Sequence, residues 1–360
     1  MTAALTSMPA RAADDAAARK DELGDLPEWN LADLYPAHDS AEVKADLARA
    51  ESEAAAFAER YKGRLEEMAR ASGASLAGAI REMEALDDLM GRLASFAGLF
   101  YAGDTTDPVR QKFYGDIQEK LTSASTHLIF FTLELNRIDD AVLDAAAEDP
   151  DLAHYRPWLD DIRKMRPHQL EDRIEQLFHE KSVSGASAWN RLFDETMAGL
   201  RFDIDGTRMP LEPTLNRLQD ADGEKRRTAA AALAKTFKAN LPVFTLITNT
   251  LAKDKEISDR WRGFEDIADS RHLANRVERP VVDALAQAVR EASPRLSHRY
   301  YAMKACWLGL DKLEFWDRNA PLPETPRETI AWDAAKNTVL SAYHGFAPEM
   351  ADIARRFFDR

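Results

Sequence analysis

Leu76, Ile80, Met83, Leu86, Met90, Leu93, Phe96 and Phe100 recur at three- and four-residue steps, the signature of one apolar stripe on a long helix. Ser75 is a candidate N-cap for it. A second helix is signalled by Asp107 as cap and Pro108 at the first helical position, where the missing N–H costs nothing. Its stripe runs Val109, Phe113, Ile117, Leu121, Ala124, Leu128 and Phe131. Packed antiparallel across the Gly103–Thr106 turn, the two stripes bury each other. Shorter helices are expected over Ala141–Ala147, Leu152–Met165, Gln169–Glu180 and Ala186–Ala198, punctuated by Pro150, Pro167 and Gly185.

The period then changes. Arg201-Phe202-Asp203-Ile204 alternates like a half-buried strand, Asp205-Gly206 is a two-residue hairpin turn, and Thr207 to Leu211 is the return strand. Downstream, Asp222 caps a helix to about Asn240, Pro242 starts or kinks the next, and Val243 to Ser258 resumes the helical spacing. Further helices start at Pro280 and Pro294, the latter capped by Ser293, with Leu296, Tyr300, Met303, Trp307 and Leu310 on one side. The last helix starts at Thr325, paired with Glu328 in a capping box, or at Asp333; the sequence permits both.

Composition narrows the function classes. The chain has 360 residues, 62 acidic and 48 basic, giving a formal net charge of −14, a field that repels polyanions and gives no basic footprint for nucleic acid. The single cysteine, Cys306, forms no internal disulfide and fits a reducing, cytoplasmic setting; it is read as a packed core thiol. Residues 1–24 lack the apolar stretch of a secretory signal and are expected to be a disordered tail. The strongest apolar run, Leu128 to Leu135, is far shorter than the ~20 residues that span a bilayer.

No complete catalytic constellation is present. There is no Gly-rich phosphate loop, Cys-x-x-Cys pair or Gly-x-Ser-x-Gly elbow. None of the eight histidines, His38, His127, His154, His168, His179, His272, His298 and His344, stands four residues before another, so no catalytic, cofactor-binding or metal-ligating residue is assigned. His168, Glu171, Glu175 and His179 have the spacing of a carboxylate-histidine metal face, but no second Glu-x-x-His copy accompanies them. They are read as a solvated face, with Pro167 starting the helix and His168 in its first turn. Trp261, Trp307, Trp316, Trp332, Tyr300, Tyr301 and Phe315 are candidates for a peptide cleft, although such aromatics are more often core. Arg260, Arg262 and Arg271 are candidates for holding a substrate carboxylate, with helix-surface ion pairing the commoner role.

A set of segments in fixed order carries a resemblance. They are Pro27-Glu28-Trp29-Asn30-Leu31, Asp33-Leu34-Tyr35-Pro36, Phe57 to Leu65, Tyr101 to Asp107 and Phe130 to Leu135. They continue with Leu159, Arg163, Pro167 and His168, the Asp205-Gly206 hairpin, Lys225-Arg226-Arg227 and Ser270 to Asn275. Tyr300 to Lys304, Phe315 to Arg318 and Ala320-Pro321 close the set. Together they resemble the oligoendopeptidase F family of zinc metallopeptidases, relatives of thimet oligopeptidase. The resemblance implies a mainly α, two-lobed fold with one small β-hairpin; the switch from helical to strand period near residue 200 places the boundary, with an N-terminal helical lobe expected over residues 25–198 and, over 199–360, the first part of a catalytic lobe left incomplete. It implies zinc as cofactor, short peptides as substrates and the remainder of the catalytic lobe as a partner, while the acidic charge and short apolar runs lead to the expectation of no nucleic-acid or membrane partner. The zinc motif His-Glu-x-x-His is absent: after His179-Glu180, the position of its second histidine is held by Val183. The resemblance stops at Arg360, before that motif is expected. Two readings follow, a zinc endopeptidase of which this chain is one part, and a non-catalytic helical peptide-binding or scaffold protein of the same fold.

Overall fold

The structure is a computed structural model that describes residues 30–323 and 329–359. The expected tail over 1–24, the segment Pro27-Glu28-Trp29 and the Thr325/Glu328 capping box lie outside those residues. Residues 34–323 form one compact unit, and the described residues 30–33 and 329–359 belong to a second.

In the first unit, helix α1 (Ala41–Tyr61) leads through the short α2 (Leu65–Ala71) into the long α3 (Gly73–Gly103). Helix α4 (Pro108–Thr126) packs along α3, and α1 lies against both. The predicted stripe is the core: Leu76, Ile80, Leu86, Met90, Leu93 and Phe96 are buried, while Met83 and Phe100 sit at its margin. Asp107 caps α4 as expected, accepting from the N–H groups of Val109 and Arg110. Tyr35 is buried against Phe96, ring centroids 5.3 Å apart, and its hydroxyl donates to Asp46 at 2.8 Å.

Two boundaries differ from the sequence reading. Helix α3 starts at Gly73, not after Ser75, because a carboxylate 75 residues away, Asp149, accepts from the Ala74 N–H at 3.1 Å. Only glycine fits at Gly73: a Cβ there would lie 2.1 Å from the Ala146 carbonyl oxygen. The second stripe is split at His127 and Leu128, whose N–H groups bond three residues back, so Phe131 belongs to α5 (Ile129–Arg137).

Short helices α6 (Asp140–Ala146), α7 (Pro150–Ala153) and α8 (Arg156–Arg163) follow, the last two dividing the single predicted helix over 152–165. Pro167 lies in a 3₁₀ turn (Arg166–His168), and helix α9 (Asp172–Ser182) begins only after it. His168 is therefore not in the first turn of α9, and the four-residue face it was to share with Glu171, Glu175 and His179 does not exist. Helix α10 (Ala186–Gly199) precedes the hairpin.

Strands β1 (Phe202–Ile204) and β2 (Thr207–Met209) pair antiparallel with Phe202 opposite Met209. Asp205 (φ 53°) and Gly206 (φ 82°) form the left-handed turn that this loop length demands. Phe202 and Ile204 pack on Ala229, Ala232 and Leu233, and Phe244 packs against the same cluster. The helices that supply these are α12 (Gly223–Ala239), capped by Asp222, and α13 (Leu241–Trp261); the short α11 (Leu211–Asn216) lies between hairpin and α12.

After α13 come α14 (Asp269–Ala274), α15 (Arg279–Ala292) and α16 (Arg299–Trp307). Ser293 caps nothing, because the backbone stays helical through a π-turn at Pro294–His298 that joins α15 to α16. Cys306 is exposed rather than packed, since α16 turns it away from the buried Lys304 and Ala305.

In the second unit, α17 (Trp332–Phe346) starts beside Asp333, the later of the two predicted positions. Pro348 opens a separate helix, α18 (Pro348–Phe358), on which Met350, Ile353 and Phe357 are exposed. Trp332 meets Phe358 edge-on at 5.7 Å.

Candidate functional site

The richest polar constellation in residues 34–323 lies where the chain after α8 meets the end of α13. Arg262, one residue past α13, forms two parallel hydrogen bonds to Glu175 of α9, both 2.7 Å, with side chains only 18% and 12% exposed. The bidentate fork fixes both planes. Glu175 also accepts from the Leu170 N–H at 2.9 Å. Partial burial raises the Glu175 pKa, but the Arg262 guanidinium and the Leu170 N–H outweigh it and hold the carboxyl below the usual glutamate range.

His168 locks into the same structure. Its Nδ1 lies 2.9 Å from the Arg262 carbonyl oxygen, and since a carbonyl only accepts, Nδ1 donates in this bond. Its ring stacks on Phe264 at 3.8 Å, 16° from parallel. Arg262 returns a bond to the His168 carbonyl at 3.3 Å.

The loop over 262–268 is tied down by Lys255 of α13, which donates to the Ile267 carbonyl at 2.8 Å and the Ser270 hydroxyl at 2.9 Å and pairs with Asp259. Arg279 at the start of α15 bridges Asp266 and Asp269. The Ala268 N–H and Arg279 lower the Asp266 pKa, and Arg279 lowers that of Asp269.

Two adjoining cavities open here. One, of about 440 Å³, is bordered by Lys164, His168, Phe264, His272, Arg276 and Arg279 among others. The other, of about 530 Å³, is bordered by Asp161, Ile162, Met165, Arg262 and again Phe264, Leu273 and Arg276. Guanidinium donors, an imidazole ring and apolar walls suit a ligand with both polar and apolar parts.

The predicted residues are thus distributed rather than gathered. His168, Glu175 and Arg262 come together, and Glu175 is half-buried in an ion pair rather than solvated. Glu171 is exposed, and His179 faces Ser125, its Nε2 2.7 Å from the hydroxyl. Arg262 pairs across 87 residues rather than along a helix surface, whereas Arg260 does pair along its helix, with Glu256. Trp261 is exposed beside the site and meets Phe178 at 6.3 Å. Tyr300, Tyr301, Trp307 and Phe315 are exposed on and after α16 instead of forming core, and Trp332 belongs to the second unit. Asp161 in α8, His272 in α14, and Lys164 and Arg276 just past those helices were not singled out in the sequence as cavity lining, because helical periodicity does not tell which residues border a cavity.

A second polar cluster is structural. Arg226 of α12 donates through Nε and Nη2 to Asp317 at 3.1 and 2.7 Å, and Lys304 of α16 donates to the Arg318 carbonyl at 2.7 Å. All three charged side chains are buried, at 3–4% exposure. Burial and the nearby Arg226 lower the Lys304 pKa against the opposing pull of Asp317.

Zinc needs at least three converging protein ligands, and among the described residues no group of three His, Cys, Asp or Glu could hold a metal ion. Two further histidines make ring contacts: His38 stacks on Phe100 and His154 lies edge-on to Tyr155. No described helix is long and apolar enough to cross a membrane.

Comparison with known proteins agrees with this architecture. A family profile described as Oligopeptidase F matches residues 134–202, which include Asp161, Lys164, His168 and Glu175. Oligopeptidase PepF of Bacillus subtilis is 24% identical over 339 residues, covering 91% of this chain and 49% of that protein. Group B oligopeptidase PepB of Streptococcus agalactiae is 24% identical over 61% of this chain and 38% of its own length. The crystal structure of oligoendopeptidase-F from Enterococcus faecium superposes with a TM-score of 0.70 at 19% identity, over 88% of this chain and 66% of that one. The chain spans about half the length, or less, of these curated relatives, and it is related to the oligopeptidase F family.

Proposed function

We propose that this chain is part of a zinc-dependent metalloendopeptidase that hydrolyses short peptides, contributing helical walls and a peptide-binding groove, with the zinc ligands supplied by sequence outside these 360 residues. The observation that carries the reading is the similarity to Oligopeptidase PepF along 91% of the chain, matched against only 49% of that protein. The mainly helical fold and a groove with fixed polar groups beside Phe264 and Leu273 support it.

The further sequence has a surface to pack on. Val281, Leu285 and Val289 of α15 and Tyr300, Met303 and Trp307 of α16 are all exposed, a concentration of apolar surface that monomeric proteins seldom leave in water. Their partner in this reading is the remainder of the catalytic lobe.

The test compares this chain alone with the same chain joined to the sequence encoded after Arg360. Alone it should hold no stoichiometric zinc after dialysis, leave a quenched fluorescent peptide uncut, and associate in light scattering. The joined form should hold one zinc and cleave with chelator sensitivity. One zinc and cleavage by the chain alone would overturn the division of labour, and an inert joined form would favour a non-catalytic peptide-binding protein.

A further inference from the structure

Arg276 stands in an unfavourable conformation for its side chain. Its φ is +55°, and apart from the hairpin's Asp205 it is the only non-glycine positive φ among the described residues. The cause is the way α14 ends: the Arg276 N–H bonds to the Leu273 carbonyl at 3.0 Å and the Val277 N–H to the His272 carbonyl at 3.1 Å, the paired bonds of a helix stop that prefers glycine. The chain makes the same stop after α13 and α16, and there the left-handed residues are Gly263 and Gly309. At the third stop an arginine bears the strain that a Cβ brings.

What the side chain gains locally does not explain this. It pairs with Asp161 at 3.0 Å while remaining 65% exposed, and exposed pairs contribute little. The same Asp161 also holds Lys164 at 3.1 Å, so one carboxylate faces two cations. Arg276 borders both cavities, with Lys164, His168 and His272 around the first. The cavity acids are engaged or peripheral: Asp269 is held by Arg279 and Asp259 by Lys255, while Glu265 and Glu278 are exposed to screening water. The cationic corner adjoins apolar walls from Ile162, Met165, Phe264 and Leu273.

We infer that Arg276, backed by Lys164, binds the C-terminal carboxylate of a short peptide, exchanging Asp161 for that carboxylate, while the neighbouring apolar wall receives the last side chain. The inference rests on the peptide reading above and adds where the peptide is held and by which end. A guanidinium fork suits a terminal carboxylate, and a backbone amide in its place offers no charge to replace Asp161.

The experiment is calorimetric titration of the full chain with an acetylated tetrapeptide ending in phenylalanine, as free acid and as C-terminal amide, with N-acetylphenylalanine and inorganic phosphate as further probes. The free acid should bind at least tenfold tighter than the amide and than either small anion. Arg276→Gly should erase the preference for the acid while leaving the melting temperature unchanged or higher, because glycine relaxes the helix stop; Arg276→Lys should keep part of it. Equal binding of acid and amide would sink the carboxylate site while leaving peptide binding standing. Binding of neither would sink both. Tight binding of N-acetylphenylalanine or phosphate alone would make this a small-anion site, and a preference surviving in Arg276→Gly would remove the residue from the role.

Discussion

Replacing Asp317 with asparagine perturbs the buried charge cluster at its centre. The side chain keeps its shape, but the buried Arg226 and Lys304, each 3% exposed, lose the acidic neighbour they share. Removing one partner of a buried ion pair typically costs about 3–5 kcal/mol, because the charge left behind is neither solvated nor compensated. The Arg226 bonds to the Asp220 and Ala221 carbonyls, both 2.8 Å, remain and place Asp317→Asn toward the lower end of that range. Urea unfolding followed through tryptophan emission, with Trp316 adjacent to the substitution, measures the loss as a lower midpoint. The deficit also has a pH signature. The Lys304 pKa is already lowered in the folded state and falls further without Asp317, so the folded protein binds fewer protons there than the unfolded chain. Stability then rises with pH toward the unfolded lysine value of ~10.4, and the deficit shrinks as Lys304 becomes neutral. A loss below about 1 kcal/mol, or one that grows on going from neutral to alkaline pH, would refute this account of the cluster.

Three further substitutions test other parts of the structure. Glu175→Gln breaks the charge-assisted fork to Arg262 and should cost about 1.5–3 kcal/mol near neutral pH; because the Glu175 pKa is lowered on folding, its contribution is present above the unfolded value of ~4.3 and is lost as pH falls through the folded one, so wild type and variant should converge in acid unfolding. Gly73→Ala drives a Cβ to 2.1 Å from the Ala146 carbonyl and should lower stability by roughly 1–3 kcal/mol, whereas Gly91→Ala, in open space on the same helix, should be neutral or stabilising in the same urea series. Cys306 should react with a thiol reagent in the native protein at a rate close to that in urea; strong protection would mean that the thiol is packed rather than exposed.

The sequence by itself determined the elements whose information is local. Apolar spacing from Leu76 to Phe96 placed α3, Asp107-Pro108 placed the start of α4, and Asp205-Gly206 placed the hairpin, because a helical stripe, a cap and a left-handed turn are each set by residues a few positions apart. The ordered segments Lys225-Arg226-Arg227, Tyr300 to Lys304 and Phe315 to Arg318 were legible as a family pattern. Only the tertiary structure showed that Arg226, Lys304 and Asp317 within them meet in one buried cluster, since their contact spans 91 residues between Arg226 and Asp317. The same holds at the candidate site. Pro167 promised a helix that His168 would join, but the bond from His168 to the Arg262 carbonyl, 94 residues on, belongs instead to a 3₁₀ turn and takes the histidine off the helix face. Asp149 displaced the cap of α3, and α16 turned Cys306 outward, for the same reason: a backbone N–H or an apolar face takes whichever partner the packed chain brings near, and periodicity carries no record of which one that is.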